Sequence, residues 1–185
     1  DIGSGKTFVA NNFGYPVFNA DSEVENIYKK NKKVFTKLKK KLPKHISKFP
    51  IDKNEVRSAI LSNKNNLKKI IKIVHLEIRK KMNIFLKKNK KKKIIILDIP
   101  LLLENKINKK GDILIFVQSK EADILKKLKK RKNFNLKLFN KFKNIQLPLD
   151  YKRKQSKFII KNDFTKRTVL KYVKNVLKQI QEWKK

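Results

Sequence analysis

Cysteine is absent from the 185-residue chain, which excludes disulfide frameworks and thiolate metal centres. No apolar run approaches the ~18 residues a membrane helix requires, and no signal peptide is visible, so a cytoplasmic protein without a membrane partner is expected. Acidic residues are scarce: 15 Asp+Glu stand against 51 Lys+Arg, a formal net charge of +36. Such a surplus attracts polyanions, whether nucleic acid, acidic membrane or nucleotide. Compositional drift produces the same total, because the excess is almost all lysine and is joined by many isoleucines and asparagines, all drawn from A/T-rich codons. The lysines are spread along the chain rather than gathered in one arm, which favours solvated helix faces. The length suits one domain with a modest excursion and a real core.

Glycine is also scarce, four in all, yet two lie in the opening stretch "DIGSGKT". Gly3 and Gly5 permit positive φ and let main-chain N–H groups approach an anion with no Cβ in the way. Lys6 adds a mobile positive charge, and Thr7 can offer an oxygen to Mg²⁺. The complete phosphate-loop pattern is G-x-x-x-x-G-K-[ST]. Asp1 to Ser4 fill its variable places, so its first glycine, and the strand that feeds the loop, are expected before Asp1. On that expectation the chain is a fragment clipped between its first strand and first helix. Taken alone, the same residues also suit a plain Gly-Ser turn before an ordinary helix.

Downstream, "KTFVANNF" predicts a first helix ending near Gly14, and "YPVFNAD" a short strand delivering Asn19 and Asp21 at its C-terminal end. Ser22 is the expected cap of a helix carrying Glu23 and Glu25 in its first turns. Residues 29–48 are lysine-rich and helical, ending around Pro43. Asp52 and Glu55 have capping-box spacing for a short helix. Residues 63–85 read as a longer amphipathic helix with Leu67, Ile70, Ile71, Val74 and Ile78 on one face.

Ile94 to Leu97 form an apolar run of the buried parallel-strand type, closed by Asp98. "DILIFV" is a second such strand, with Ser119 and Glu121 opening a helix over 120–132. A basic helical segment to Asn144, a strand in "KFIIKND" and a helix over 165–183 complete the chain. Strands alternating with helices predict an α/β fold with a mainly parallel sheet. Ligands of such folds bind at the carboxyl ends of the strands, where Asp21 and Asp98 fall. Asp98 suits either a metal contact through water or a turn cap. His75 reads by itself as a packed helix residue and His45 as a solvated one; the phenylalanines and Trp183 read as packing.

The order and spacing of "IGSGKT", "FGYPVFNAD", "IDKNEV", "IVH", "LDIPLLLE", a late "Q-x-P" and "IIKN" resemble the dephospho-CoA kinase family over essentially the whole chain. "DIPLLLE" is the most diagnostic piece. The resemblance implies a three-layer α/β/α P-loop kinase fold and ATP-dependent phosphorylation of the ribose 3′-hydroxyl of dephospho-CoA, with Mg²⁺ accompanying ATP. It implies a single domain over 1–185. Within it, 1–28, 92–125 and 156–185 would form the nucleotide core, 29–91 a helical substrate-side region and 126–155 a lid.

By the same resemblance, Gly3, Ser4, Gly5, Lys6, Thr7 and Phe8 match the ATP loop and its first helical turn, and Asp21 the catalytic base. His75, Pro100, Leu101 and Glu104 match substrate-side positions. Arg131 matches an arginine leading toward the lid, Gln146 and Lys152 belong to the lid, and Asn162 matches an asparagine near the adenine end. Four positions depart from the family pattern. Asn19 replaces the first aspartate of "DAD", Leu76 replaces a proline, and Lys53 and Lys127 stand where arginines are common. A nucleoside or shikimate kinase is the nearer alternative. A basic nucleic-acid module is the more distant one, although it would require arginines and aromatics interleaved on one face. A monomer without a specific nucleic-acid partner is expected.

Overall fold

The computed structural model describes residues 1–131 and 134–183. Two compact units divide it, Asp1–Val17 with Ile96–Lys185, and Phe18–Ile95.

In the first unit α1 (Lys6–Asn11) follows the glycine-rich loop and packs on β2 (Ile96–Asp98). The Ile96 N–H donates to the Pro16 carbonyl at 2.9 Å, pairing β2 with the chain that enters β1 (Val17–Asn19). β3 (Ile115–Gln118) pairs in parallel with β4 (Phe158–Lys161), Ile115 opposite Phe158 and Gln118 opposite Lys161. Between these strands lie α6 (Glu121–Lys129), α7 (Leu136–Asn144) and α8 (Leu149–Lys154). α9 (Lys166–Glu182) closes the unit against β4. Its buried Val169, Val173, Val176 and Ile180 recur at helical spacing, so one apolar stripe faces the strand and the lysines remain outside.

The second unit is helical: α2 (Ala20–Lys30), α3 (Lys32–Lys41), α4 (Lys53–Ser62) and α5 (Lys64–Lys88). α5 buries Asn66, Ile70, Val74, Ile78 and Met82, each four residues after the last. Steps of four advance the stripe by ~40° around the axis each time. It therefore winds along the helix, which packs on α4, α3 and α2. Leu67 and Ile71, expected on the buried face, lie at its half-buried margin, and the buried line includes the polar Asn66. The Asn66 amide is satisfied there, donating to the Ala59 carbonyl at 2.9 Å and to Ser62 Oγ at 3.2 Å.

Several local expectations are corrected. Asn19, not Ser22, caps α2, its side-chain oxygen accepting from the Ser22 N–H at 2.7 Å. Strand β1 ends at Asn19, so Asp21 occupies the first turn of α2. The helix expected over 29–48 is broken at Asn31, which ends α2 and caps α3 through the Val34 N–H. Asp52 caps α4, but Glu55 completes no capping box and instead accepts from the backbone and hydroxyl of Ser47. The helix expected over 120–132 ends at Lys129, and Lys132 lies outside the described residues. His45 is not merely solvated, since its Nε2 is 3.1 Å from Ser62 Oγ.

Candidate active site

The loop before α1 has the backbone its glycines imply, with φ of 78° at Gly3 and 81° at Gly5. Space requires glycine as well as angle. A Cβ on Gly3 would lie 2.9 Å from Ile124 Cγ2, and one on Gly5 only 2.3 Å from Asn162 Nδ2. Ser4 between them is fully buried. Its hydroxyl donates to the Asp1 carbonyl at 3.0 Å, and Lys6 Nζ reaches the same carbonyl at 2.5 Å. The ammonium thus bridges the loop on itself.

Thr7 Oγ1 donates to Asp98 Oδ2 at 2.6 Å, joining the first turn of α1 to the end of β2. Asp98 is 7% exposed, so the bond satisfies a carboxylate largely removed from water. Among the described residues no group of three or more His, Asp or Glu side chains could hold a metal ion by itself. Thr7 and Asp98 fit a different arrangement. One hydroxyl with its proton committed to a carboxylate leaves oxygen lone pairs for a cation that keeps waters and takes its other ligands from phosphates, as Mg²⁺ does. Phe8, next on α1, is 37% exposed.

Asn162, at the exit of β4, is 3% exposed and uses both ends of its side chain inside the protein. Nδ2 donates to the Ser4 carbonyl at 2.8 Å, and Oδ1 accepts from the Phe164 N–H at 2.8 Å. Ser119, at the exit of β3, was expected to help open α6. It makes no cap, and its hydroxyl lies 3.0 Å from the Ser4 carbonyl and 2.7 Å from the Asn162 carbonyl. Residue type alone gave no reason to assign Ser119 to the loop; its place directly after a buried strand was the available signal. Lys127 Nζ lies 5.3 Å from the Phe164 ring centroid, within cation–π range.

The "PLLLE" turn is built around Leu101, whose φ is 55° and whose carbonyl accepts from both the backbone and the side chain of Asn105. Pro100 is exposed. Glu104 points back toward α8. Its Oε1 lies 2.6 Å from Lys152 Nζ and accepts from the Leu147 N–H at 3.0 Å, while Lys152 also donates to Gln146 Oε1 at 2.8 Å. Burial opposes ionisation of Glu104, but Lys152 and backbone N–H groups outweigh it and hold the carboxyl below its usual range. Among the described residues from Lys129 to Lys157 no side chain is buried, so this polar cluster is a fixed point in an otherwise loosely covered segment. Arg131 follows α6 and is exposed.

Asp21 and His75 belong to the second unit. Asp21 is exposed in the first turn of α2, where an acidic side chain complements the helix dipole. His75, half-buried on α5, has its pKa lowered first by burial and then by Arg79. Asn19, the departure from "DAD", serves as the α2 cap, and Lys53 is hydrogen-bonded to Glu25. The structure thus brings together the loop, Asp98 and Asn162 in one unit, and Glu104, Gln146 and Lys152 in a second cluster of the same unit.

The family described as dephospho-CoA kinase matches residues 1–167. A dephospho-CoA kinase of Wolbachia pipientis wMel is 33% identical over 181 residues, covering 95% of this chain and 92% of that protein. One from Bartonella quintana is 28% identical over 186 residues, covering 96% and 95%. Among solved structures, TT1252 from Thermus thermophilus superposes with a TM-score of 0.74 at 23% identity, covering 97% of this chain and 93% of that one. A dephospho-CoA kinase from Campylobacter jejuni gives 0.57 at 22% identity, covering 96% and 90%. At those identities the structural likeness speaks for the fold.

Proposed function

The chain belongs to the dephospho-CoA kinase family, and from that premise we propose how its residues carry the reaction. The reaction is ATP-dependent phosphorylation of dephospho-CoA to coenzyme A, and the acceptor is the ribose 3′-hydroxyl. Phosphoryl transfer asks for little covalent work: the attacking oxygen must be in line, and the charge on the γ-phosphoryl must be balanced. The amides of Gly3, Ser4 and Gly5 cradle the phosphates, and Lys6 exchanges its carbonyl partner for phosphate oxygen. Thr7 would hold a divalent cation directly, and Asp98 would hold it through water. Family members use ATP, generally with such a cation, and Mg²⁺ is the ion the two oxygens suit. When bound, it would neutralise charge on the transferring group.

Asp21 accepts the proton of the 3′-hydroxyl, a step open to a carboxylate within hydrogen-bond reach of it. His75, whose pKa is lowered by burial and by Arg79, is assigned to substrate binding, as are Pro100, Leu101 and Glu104. Arg131 and Asn162 serve the nucleotide. Residues 126–155, with Gln146 and Lys152, form the lid, and 29–91 the substrate-side region. Closure matters because a kinase open to water hydrolyses its ATP. Among the described residues no helix is long and apolar enough to cross a membrane, in keeping with a cytoplasmic enzyme. A monomer with solvated lysine faces and no sequence-selective nucleic-acid partner completes the proposal.

One observation carries it: a loop with left-handed Gly3 and Gly5, followed by a Thr7 bonded to a strand-end aspartate, in a chain matching this family over residues 1–167. The test is an acceptor competition with ATP, in which dephospho-CoA, adenosine and shikimate are offered together. Phosphate should pass to dephospho-CoA in preference to both controls. Preference for either control would remove the acceptor assignment and leave a P-loop kinase of another substrate class.

A further inference from the structure

We propose that Asn162 and Ser119 are positioning residues of the phosphate loop, fixing the Ser4–Gly5 peptide so that the Gly5 N–H is presented to the polyphosphate. This rests on the reading of residues 3–7 as the ATP loop.

The ends of two paired strands build the device. The Asn162 N–H donates to the Gln118 carbonyl at 2.8 Å, extending the β3–β4 ladder one step past Gln118 and Lys161. That step sets Ser119 and Asn162 side by side beneath the loop. The Asn162 amide donates to the Ser4 carbonyl at 2.8 Å, and its own oxygen is tied to the Phe164 N–H, so it cannot rotate away without losing both bonds. The Ser119 hydroxyl has one proton for two carbonyls, those of Ser4 and Asn162. Asn162 is therefore the constant donor to Ser4, and Ser119 ties the two carbonyls together.

The consequence follows from peptide geometry. A trans peptide is planar, with its C=O and N–H pointing in opposite directions. Holding the Ser4 carbonyl down toward Asn162 and Ser119 turns the Gly5 N–H to the opposite side, away from the strands. Without the clamp, two left-handed glycines flanking one residue leave the peptide free to rotate. The cradle would then be one conformer among several, and ATP would have to select it. Clearance is also tuned to this contact, because a Cβ at Gly5 would strike the Asn162 amide.

The test measures binding of inorganic triphosphate by calorimetry, which needs no turnover, together with KM for ATP and for dephospho-CoA. Asn162→Ala and Ser119→Ala should each weaken triphosphate binding and raise KM for ATP about tenfold, the effect of a lost buried hydrogen bond. KM for dephospho-CoA should stay at the parent value. Ser119→Thr, which keeps the hydroxyl, should restore triphosphate binding. Asn162→Asp sets a carboxylate against the Ser4 carbonyl and should bind more weakly than Asn162→Ala. Parent-like triphosphate binding by Asn162→Ala and Ser119→Ala overturns the proposal. So does a fall in melting temperature with KM for ATP unmoved. If Asn162→Ala does not fold, the Ser119→Ala and Ser119→Thr pair decides alone. A parent chain that binds triphosphate but does not phosphorylate dephospho-CoA removes the acceptor assignment, while the clamp stands or falls on the triphosphate data. A parent chain that binds no triphosphate overturns both.

Discussion

The hydroxyl of Thr7 and the carboxylate of Asp98 lie 2.6 Å apart although 91 residues separate them in the chain. The bond orients Thr7 before any ligand arrives, because a donated proton fixes where the remaining lone pairs point. Thr7→Val keeps the shape and removes the oxygen. It should raise the Mg²⁺ concentration needed for half-maximal turnover and lower kcat/KM for ATP on the order of 10- to 100-fold. A Mg²⁺ titration of the rate is the check, and a curve superimposable on the parent's would show that Thr7 does not hold the cation.

Lys152 and Glu104 are 13% and 11% exposed at their side chains, so their ion pair is mostly removed from water. Removing one partner leaves the other partly covered and unpaired, at a cost of roughly 1–3 kcal/mol, below that of a fully buried pair. Lys152→Met should therefore lower Tm by roughly 2–12 °C for a chain of this size. The double variant Lys152→Met with Glu104→Gln should melt above Lys152→Met alone, because no partly covered charge is left unpaired. Thermal melts of the four proteins in the cycle test this, and additive losses would contradict the coupling.

How much of this was legible in advance depends on the range of the interaction. The left-handed Gly3 and Gly5 were readable because that backbone is set by a few adjacent residues, and α5 because its apolar period persists over 25 residues. Cap choice was less so: Asn19, Ser22 and Asn31 all have capping side chains, and which one caps depends on where the strand or preceding helix stops. The Ser119–Asn162 clamp and the Glu104–Lys152 pair were illegible as contacts, since only the fold brings residues 43 and 48 positions apart together. α8 was also missed, its six residues and lack of any buried side chain leaving no apolar period to read.

His75 gives a pH prediction with a definite sign. Its pKa in the folded chain is lowered from 6.5, through burial first and the Arg79 charge second. Below about pH 6.5 the unfolded chain binds a proton that the folded chain resists. The contribution of neutral His75 is thus fully present above that value and is lost as pH falls toward the depressed folded pKa. His75→Gln should flatten the fall of Tm as pH drops below about 6.5. An unchanged slope would mean that other groups set the acid limb.

Asp21 bears most directly on the account. Asp21→Asn keeps size and polarity but cannot take the proton of the 3′-hydroxyl. Transfer of phosphate from ATP to dephospho-CoA should fall ~10²- to 10⁴-fold in kcat, with ATP affinity nearly intact. Lys6→Ala should instead weaken ATP affinity and turnover together, as expected of a group that would contact phosphate in ground and transition states alike. The deciding measurement is single-turnover phosphorylation of dephospho-CoA by the parent and by Asp21→Asn at saturating ATP. A slow variant that still binds ATP is the result expected; a variant as fast as the parent would contradict the assignment of Asp21 as the base.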